Sequence, residues 1–583
     1  MKRIIHYRKI CLVLSVAAMA ITSCSEEWDN HYQPSALTGE RNLWTTIESH
    51  PELSNFASVV KAVGYDRALN GSQTFSVFAP VNNVLSIEQA QSLITAYQME
   101  KAAGKRDNEN SAVKEFIQNY IMLYSRSASS VTNDSLMMMN GKYQTFTSSA
   151  FAGKQLLTSN VACSNGVLYT VDGLAQYFPN IFEYLGKDKE IDSLANFVYA
   201  FNRYRFDASK SVPGDIVNGK TQYLDSVITL RNELLENYLA PVNSEDSSYW
   251  MVVPTNEVWQ QLVPQYERYF QYDESVGGRR DSLTWLQARL ALIRGTVFSR
   301  TRNTDAVIQD SALSTEAVSY RMRKFLWGSY DDKYYQYSHP LEESGVFNGT
   351  TNVQCSNGQV MKAKEWHISP QQTFLRKITA EGENSARLDS VDQSSTTYPA
   401  TTYRVATSNA FYGKVGNNAY VELSPVSRTN ITAYFSLPNL LSNVGYDIYV
   451  VTTPAIAGDE NASDMARLPT KFRVFLRHQS ADGILPSLQR DWITLDGNHN
   501  LSAVTWETTK DKIDTFKIAS NIKVPYTTYA IGQAAKVELV FNTTPTTRQV
   551  NNGIYNRILR IDRIIVIPHE DTSDNGAKQS FNK

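Results

Sequence analysis

The stretch "NVACSNG", residues 160–166, returns as "NVQCSNG", residues 352–358, with one mismatch in seven positions. Asn and Gly tolerate positive φ, so both copies read as tight turns. The arms around the first copy, "LLTSNVACS" and "VLYTVDGL", are rich in β-formers. A two-residue turn there sets Cys163 opposite Leu168 and Cys355 opposite Val360. Each cysteine then reads as a small buried side chain beside an apolar neighbour. Equivalent positions of two separate folds are poorly placed to meet in a disulfide. The repeat therefore predicts architecture, with no paired-cysteine chemistry.

Outward from the turns, "TFSVFAPVNNVL" (74–85) and "SYWMVVPTNEVW" (248–259) share an apolar run, then Pro, one residue and Asn. Pro80 and Pro254 cannot donate to a ladder and so end the run. Asn82 and Asn256 then suit the N-cap of the following helix. Helical stretches lie between the landmarks. "AVKEFIQNYIMLYSR" places Val113, Phe116, Ile117, Tyr120 and Ile121 at helical spacing, and "SLTWLQARLALIRGTVFSR" does so with Leu283, Leu286, Leu290 and Ile293. Landmarks recurring in one order predict a duplicated domain.

This order of landmarks resembles the fasciclin (FAS1) domain. Thr74-Phe75-Ser76-Val77-Phe78-Ala79-Pro80 with Asn82 is similar to the family's opening segment, and Asn165-Gly166-Val167-Leu168 with Val171-Asp172 and Leu174 to its closing one. The family's central histidine is absent, and Asn119-Tyr120-Ile121 stands in its place. The second copy keeps Met251-Val252-Val253-Pro254-Thr255-Asn256 and Asn357-Gly358, but has Lys364-Glu365 where the family has Ile-Asp. The resemblance implies α+β domains over residues 40–182 and, more diverged, 186–378. It implies adhesion or binding and carries no catalytic residues across.

After residue 380 the texture changes. The Ser/Thr-rich "SARLDSVDQSSTTYPATT" reads as a linker, placed at 379–395. Eight alternating β segments follow, from "AYVELS" to "RILRIDRIIVIP", separated by turn-rich stretches. They predict an all-β, jelly-roll-like sandwich over 396–570, with a disordered tail at 571–583. "FSLPNLLSNVGYDIYVV" and "LRIDRIIVIP" resemble galactose-binding-like modules, which implies a glycan-binding module. The ligand candidates are Trp492, Trp506, Tyr526 and Tyr529 as aromatic platforms, with Asp496, Asn498 and His499 as polar partners. The competing reading is structural: strand aromatics pack in cores, and Asp-Gly-Asn-His makes a good turn.

The N-terminus supplies context. "MKRIIHYRK" is basic and "ICLVLSVAAMAI" is an apolar run too short to span a bilayer, so residues 1–23 read as a secretory signal. "ITSC" resembles a bacterial lipobox, which makes Cys24 the acylated residue and residues 24–39 a tether. Ser25-Glu26-Glu27 resembles the surface-export signal of Bacteroidetes lipoproteins. The resemblance implies a lipid anchor in the outer membrane, facing the extracellular side. Several acyl chains hold a protein stably where one does not. In such organisms these lipoproteins accompany SusC/SusD-like importers, so importer subunits and a glycan or peptide ligand are the expected partners.

Bulk numbers agree with a folded binding protein. The 583 residues suffice for roughly three or four domains. A hydrophobic share of 42% against 20% charged supports packed cores. A net charge of −2 with no basic block argues against nucleic acid as a partner. No His-Glu-x-x-His helix, Gly-x-Ser-x-Gly elbow or phosphate loop occurs, and the eight histidines are scattered singly. The expectation is a non-enzymatic protein without metal or cofactor. It is either an accessory subunit of a nutrient importer or a cell-surface adhesin.

Overall fold

The computed structural model describes residues 39–569, apart from 130, 209–211, 218–219, 226–227, 301–311, 315–320, 324–329, 333–335, 385–387, 393–399, 426–427, 438, 497–503 and 532–535. Cys24, Ser25, Glu26, Glu27 and the tail at 571–583 lie outside the described residues, as do Asn498 and His499. The chain is α+β, 28% helical and 30% strand. It divides into two compact units. The first runs to Asn180 and also takes in residues 243–246 and 354–357; the second holds the rest.

In the first unit a seven-stranded sheet runs in the order Ile121–Leu123, Phe75–Pro80, Gly166–Val171, Lys154–Cys163, Ala150–Phe151, Tyr143–Phe146, Asp134–Met137. Its second and third strands are parallel, with Phe75 opposite Gly166 and Pro80 opposite Val171. All six residues of each are buried, as expected for parallel strands covered on both faces. Phe78 sits at the middle of the core. Its ring stacks on Phe151 at 3.9 Å and on Tyr169 at 4.9 Å, and meets Phe146 edge-on at 5.3 Å.

The quoted turn lies one residue earlier than its Asn-Gly suggests. Cys163 pairs with Gly166 and Val161 with Leu168, so Ser164 and Asn165 form the turn and Cys163 does not face Leu168. Asn165 is a hydrogen-bond hub. Its Oδ1 accepts from Leu43 N at 2.8 Å, and its Nδ2 donates to Leu69 O and Gly71 O at 2.8 and 2.7 Å. One buried amide thus caps one helix start and closes another helix end, satisfying groups that helix termini leave orphaned. Cys163 and Cys355 are both buried free thiols. Burial pushes the Cys163 thiol up from its ordinary pKa, against a hydrogen bond with Thr46.

Asn82 also acts differently from the expectation. It caps no following helix; that role falls to Ser86, which forms a capping box with Gln89. Instead Asn82 Oδ1 accepts from Asn55 N at 3.0 Å, in the first turn of the preceding helix Ser54–Ala62, and Nδ2 donates to Pro51 O at 2.9 Å. Asn256 repeats the arrangement. Its Oδ1 accepts from Ser193 N at 2.8 Å, at the start of the helix Asp192–Tyr199, and Nδ2 donates to Lys189 O at 2.7 Å. The Pro-x-Asn motif therefore ties each parallel strand to the helix before it.

The second unit repeats the strand register as well. Its four-stranded sheet runs Val297–Ser299, Tyr249–Pro254, Gly358–Ala363, Thr350–Cys355. Tyr249 lies parallel to Gly358 and Pro254 to Ala363, while Met251 pairs antiparallel with Val297. What separates the copies is two-stranded ribbons without counterpart in the first. Asn202–Phe206 pairs with Ile228–Asn232, Val212–Val217 with Lys220–Asp225, and two further short pairs fall between 312 and 338. The helical expectations hold unevenly. "SLTWLQARLALI" lies within the helix Arg280–Ile293, whereas "AVKEFIQN" forms only a wide turn and a 3₁₀ turn before the strand Ile121–Leu123.

The C-terminal part of the second unit is a sandwich of two six-stranded sheets in which every pairing is antiparallel. Leu559–Pro568 is central in one sheet and Val537–Thr543 in the other. The sandwich starts earlier than the Ser/Thr-rich stretch suggested. Ile378–Glu381 pairs along Leu559–Pro568 and Leu388–Asp392 along Thr432–Ser436, so much of the expected linker at 379–395 is strand. Ser and Thr look like linker residues, but in alternation they suit a pleated edge.

Within this unit the segment 268–279 is stitched to the sandwich. Tyr272 donates to Tyr529 O at 3.1 Å, Thr527 N to Gln271 O at 2.8 Å, and Lys536 reaches Asp273. A different strain sits in the sandwich wall. Asp562 is fully buried, and its Oδ1 accepts from Gly416 N at 2.8 Å. Arg563 Nη1 lies 3.1 Å from Oδ2 but is not aligned for a hydrogen bond. Burial outweighs these and pushes the carboxyl up to about 6, with Glu383 adding to the rise. The folded state thus holds this proton where the unfolded chain, near pH 4, releases it. The resulting stability is complete below about pH 4 and is lost as pH rises through 6. Asp562→Asn should remove that loss. Between pH 5 and 7.5 the stability difference between variant and parent should shift by about 1.4 kcal/mol in the variant's favour, measured by urea unfolding; a difference constant with pH would sink the assignment.

Candidate functional site

Among the described residues, those expected to bind a ligand do not form one cluster. Tyr529 lies in the seam within the second unit. Its ring packs on Phe270 at 5.7 Å and its hydroxyl accepts from Arg294 Nη2 at 3.0 Å. Tyr526 is half-buried nearby, and its carbonyl accepts from Gln479. Trp506 packs on Phe516 at 5.8 Å and pairs with Phe472 of the core. Asp496 is buried. Trp492 is half-buried, and its indole reaches Pro486, which lines a groove at the sandwich edge.

Trp492 leads the short edge strand Ile493–Thr494, which pairs with Leu476 and Phe475. Alternation along Lys471–His478 buries Phe472, Val474 and Leu476 in the sandwich and turns Arg473, Phe475 and Arg477 to the other face. There the Trp492 ring packs on Phe475 at 5.9 Å and meets Tyr434 edge-on at 6.1 Å. Its indole N–H donates to Pro486 O at 3.0 Å. The Arg477 guanidinium lies 4.5 Å over the Tyr434 ring and 5.9 Å from Trp492, and forms an ion pair with Glu538 across the ladder. Both rings are thereby held in fixed orientation before any ligand arrives, a cation–π contact adding to the packing.

Beside this platform opens a groove of about 310 Å³, lined by His478, Asp482, Ile484, Pro486, Asp491 and Ile493 among others. Hydrogen bonds from Ser480 and the Ile484 amide hold the Asp482 carboxyl below its ordinary pKa, so it is ionised at neutral pH. The two ring planes stand at 85° and the Arg477 guanidinium covers a face of Tyr434, so the chemistry available is contact with the Trp492 ring and with polar groups at the margin, which is recognition chemistry. Among the described residues no group of three or more His, Cys, Asp or Glu is placed to hold a metal. Sequence reasoning missed Tyr434 and Arg477. The alternation in "ITAYFSL" and "KFRVFLRH" gave their outward direction, but only the strand order makes them neighbours of Trp492.

Residues 51–175 match the family profile of the Fasciclin domain, a non-catalytic, adhesion-type domain. No curated protein matches the chain. Among solved structures, a FAS1 domain pair from the insect cell adhesion molecule Fasciclin I is 11% identical, with 55% of this chain and 98% of that chain covered and a TM-score of 0.18. TmCBM61 in complex with β-1,4-galactotriose is 10% identical over 32% of this chain and 95% of that one, TM-score 0.18. The GH26-CBM35 β-(1,4)-mannanase of Podospora anserina is 11% identical over 34% of this chain, TM-score 0.18, and the match spans only 28% of the mannanase. At such TM-scores these likenesses stand as description. Residues 51–175 thus carry a fasciclin-type domain, and the β-sandwich of the second unit carries the Tyr434–Trp492 aromatic pair.

Proposed function

We propose that the protein is a non-enzymatic carbohydrate-binding lipoprotein of an outer-membrane surface, with its second repeat a diverged fasciclin domain. Cys24 would carry the lipid, with Ser25, Glu26 and Glu27 directing export. The chain would serve as an accessory subunit that captures a glycan for a SusC/SusD-like importer. The observation that carries the reading is the half-buried Tyr434–Trp492 pair, packed by Arg477, which itself lines the adjoining groove with Pro486 and Ile493. Sugar rings offer C–H faces that stack on such platforms, and lipid anchoring raises the local concentration near a membrane partner. The shared register of the two repeats and the matching bonds of Asn82 and Asn256 support the second fasciclin domain.

A glycan array with the full chain, followed by calorimetry on the best ligand, tests this. Trp492→Ala should weaken binding at least tenfold with the fold intact, in line with the loss of a central aromatic anchor. Unchanged affinity would move the site away from the platform. Affinity capture from mildly solubilised membranes should recover an importer subunit. Cell aggregation lost on deletion, with no glycan bound and no importer recovered, would instead make the chain an adhesin.

A further inference from the structure

We propose that Lys142 and Asn180 become joined by an intramolecular isopeptide bond, with Glu245 as the proton shuttle. All three belong to the first unit. Lys142 and Asn180 are 3% and 4% exposed, and lysine is seldom buried so deeply. Lys142 Nζ lies 2.5 Å from Glu245 Oε1, and Asn180 Nδ2 donates to that same oxygen at 3.0 Å. Amine and carboxamide therefore converge on one carboxylate oxygen. The constellation holds a nucleophile, an acyl group with a departing nitrogen, and a group in contact with both that can carry a proton.

The surroundings fix the three groups in this arrangement. Lys142 N donates to Asn140 Oδ1 at 3.0 Å, and Met138 N to Lys142 O at 2.9 Å. The Tyr177 ring lies 5.7 Å from Nζ, and Ser356 Oγ accepts from it at 3.2 Å. Asn180 Nδ2 also donates to Asn243 O, and Ser356 N donates to Pro179 O beside it. Reactants held in one orientation gain a large effective molarity over the same groups free in solution.

The step balances without a co-reactant. Glu245 takes a proton from the Lys142 ammonium. The freed lone pair on Nζ adds to Asn180 Cγ, and the carbonyl electrons move to oxygen. Glu245 relays a proton from Nζ to Nδ2; the Cγ–Nδ2 bond breaks as the carbonyl re-forms. Ammonia leaves, taking a proton to become ammonium. One C–N bond is made and one is lost, with no change in oxidation state. The product is a covalent tie between residues 142 and 180 that urea and reductants leave intact.

Peptide mapping of the purified full-length protein tests it. The expected result is a cross-linked peptide pair, one ammonia lighter than its two parts, with no tryptic cleavage after Lys142. Lys142→Arg and Glu245→Gln should each return the separate peptides, with Asn180 intact. If folded wild-type protein is cleaved after Lys142 and releases an unmodified Asn180 peptide, the proposal fails. A deamidated Asn180 beside a free Lys142 overturns it equally. The wild-type map decides even where a variant does not fold.

Discussion

Replacing Lys536 by methionine should lower the stability of the second unit by about 3–5 kcal/mol, because it strands a buried carboxylate. Lys536 Nζ lies 3.2 and 3.1 Å from the two oxygens of Asp273, and the side chains are 10% and 2% exposed. Asp273 also accepts from Ser275 N at 2.9 Å, so the carboxylate is fixed by the chain that carries it. Gly483 permits this approach: a Cβ there would lie 2.7 Å from both Asp273 Oδ1 and Lys536 Nζ. Without its cation Asp273 cannot turn to water. Removing both charges together, as Lys536→Met with Asp273→Asn, should recover most of the loss, since a hydrophobic or neutral replacement of a buried pair is often nearly neutral. The measurement is a double-mutant cycle in denaturant. A single variant costing under about 1 kcal/mol would mean that the pair behaves as a surface one.

That seam shows why the sequence could be read only in part. Residues within one element announce themselves. The all-apolar run before Pro80 and the alternation of "KFRVFLRH" each mark a strand in the right place, and Cys-Ser-Asn-Gly marks a turn one residue from where its Asn-Gly points. What joins elements distant in sequence leaves no local mark. Nothing near Asp273 points to Lys536, and nothing near Tyr529 tells a sugar platform from a partner for Arg294. Asn82 was legible as a capping residue from its chemistry, yet the helix that it caps precedes it, because the parallel strand returns past that helix. Ligand residues are the hardest to read from local pattern. A platform requires aromatics on one face of neighbouring strands, and strand order is set by packing over the whole sandwich. Trp492 was visible as a residue, while Tyr434 and Arg477 became its neighbours only through the ladder.

The duplicated turn invites the second large effect. Gly166 has φ of 152° and Gly358 of 139°, and each opens the strand that lies parallel to the first strand of its repeat. A Cβ on Gly166 would lie 2.0 Å from Phe75 O, and one on Gly358 1.8 Å from Tyr249 O. Both collisions are with backbone, which no rotamer change relieves, so the parallel ladder must part at its first rung. Gly166→Ala and Gly358→Ala should therefore each cost about 3 kcal/mol or more in the unit concerned, at the upper end of overpacking penalties. Gly141, with φ of 78° and nothing within 4 Å of its Cβ position, separates the two causes. Gly141→Ala pays only for the left-handed backbone and should cost about 1 kcal/mol. Cys163→Ala, which removes one buried sulfur beside the same turn, should likewise stay near 1–2 kcal/mol. If thermal melts show Gly166→Ala and Gly358→Ala no worse than Gly141→Ala, the repeated motif marks turn conformation alone. If they are several-fold worse, what has been kept in both copies is the space of a missing side chain, and the cysteine next to it is incidental packing.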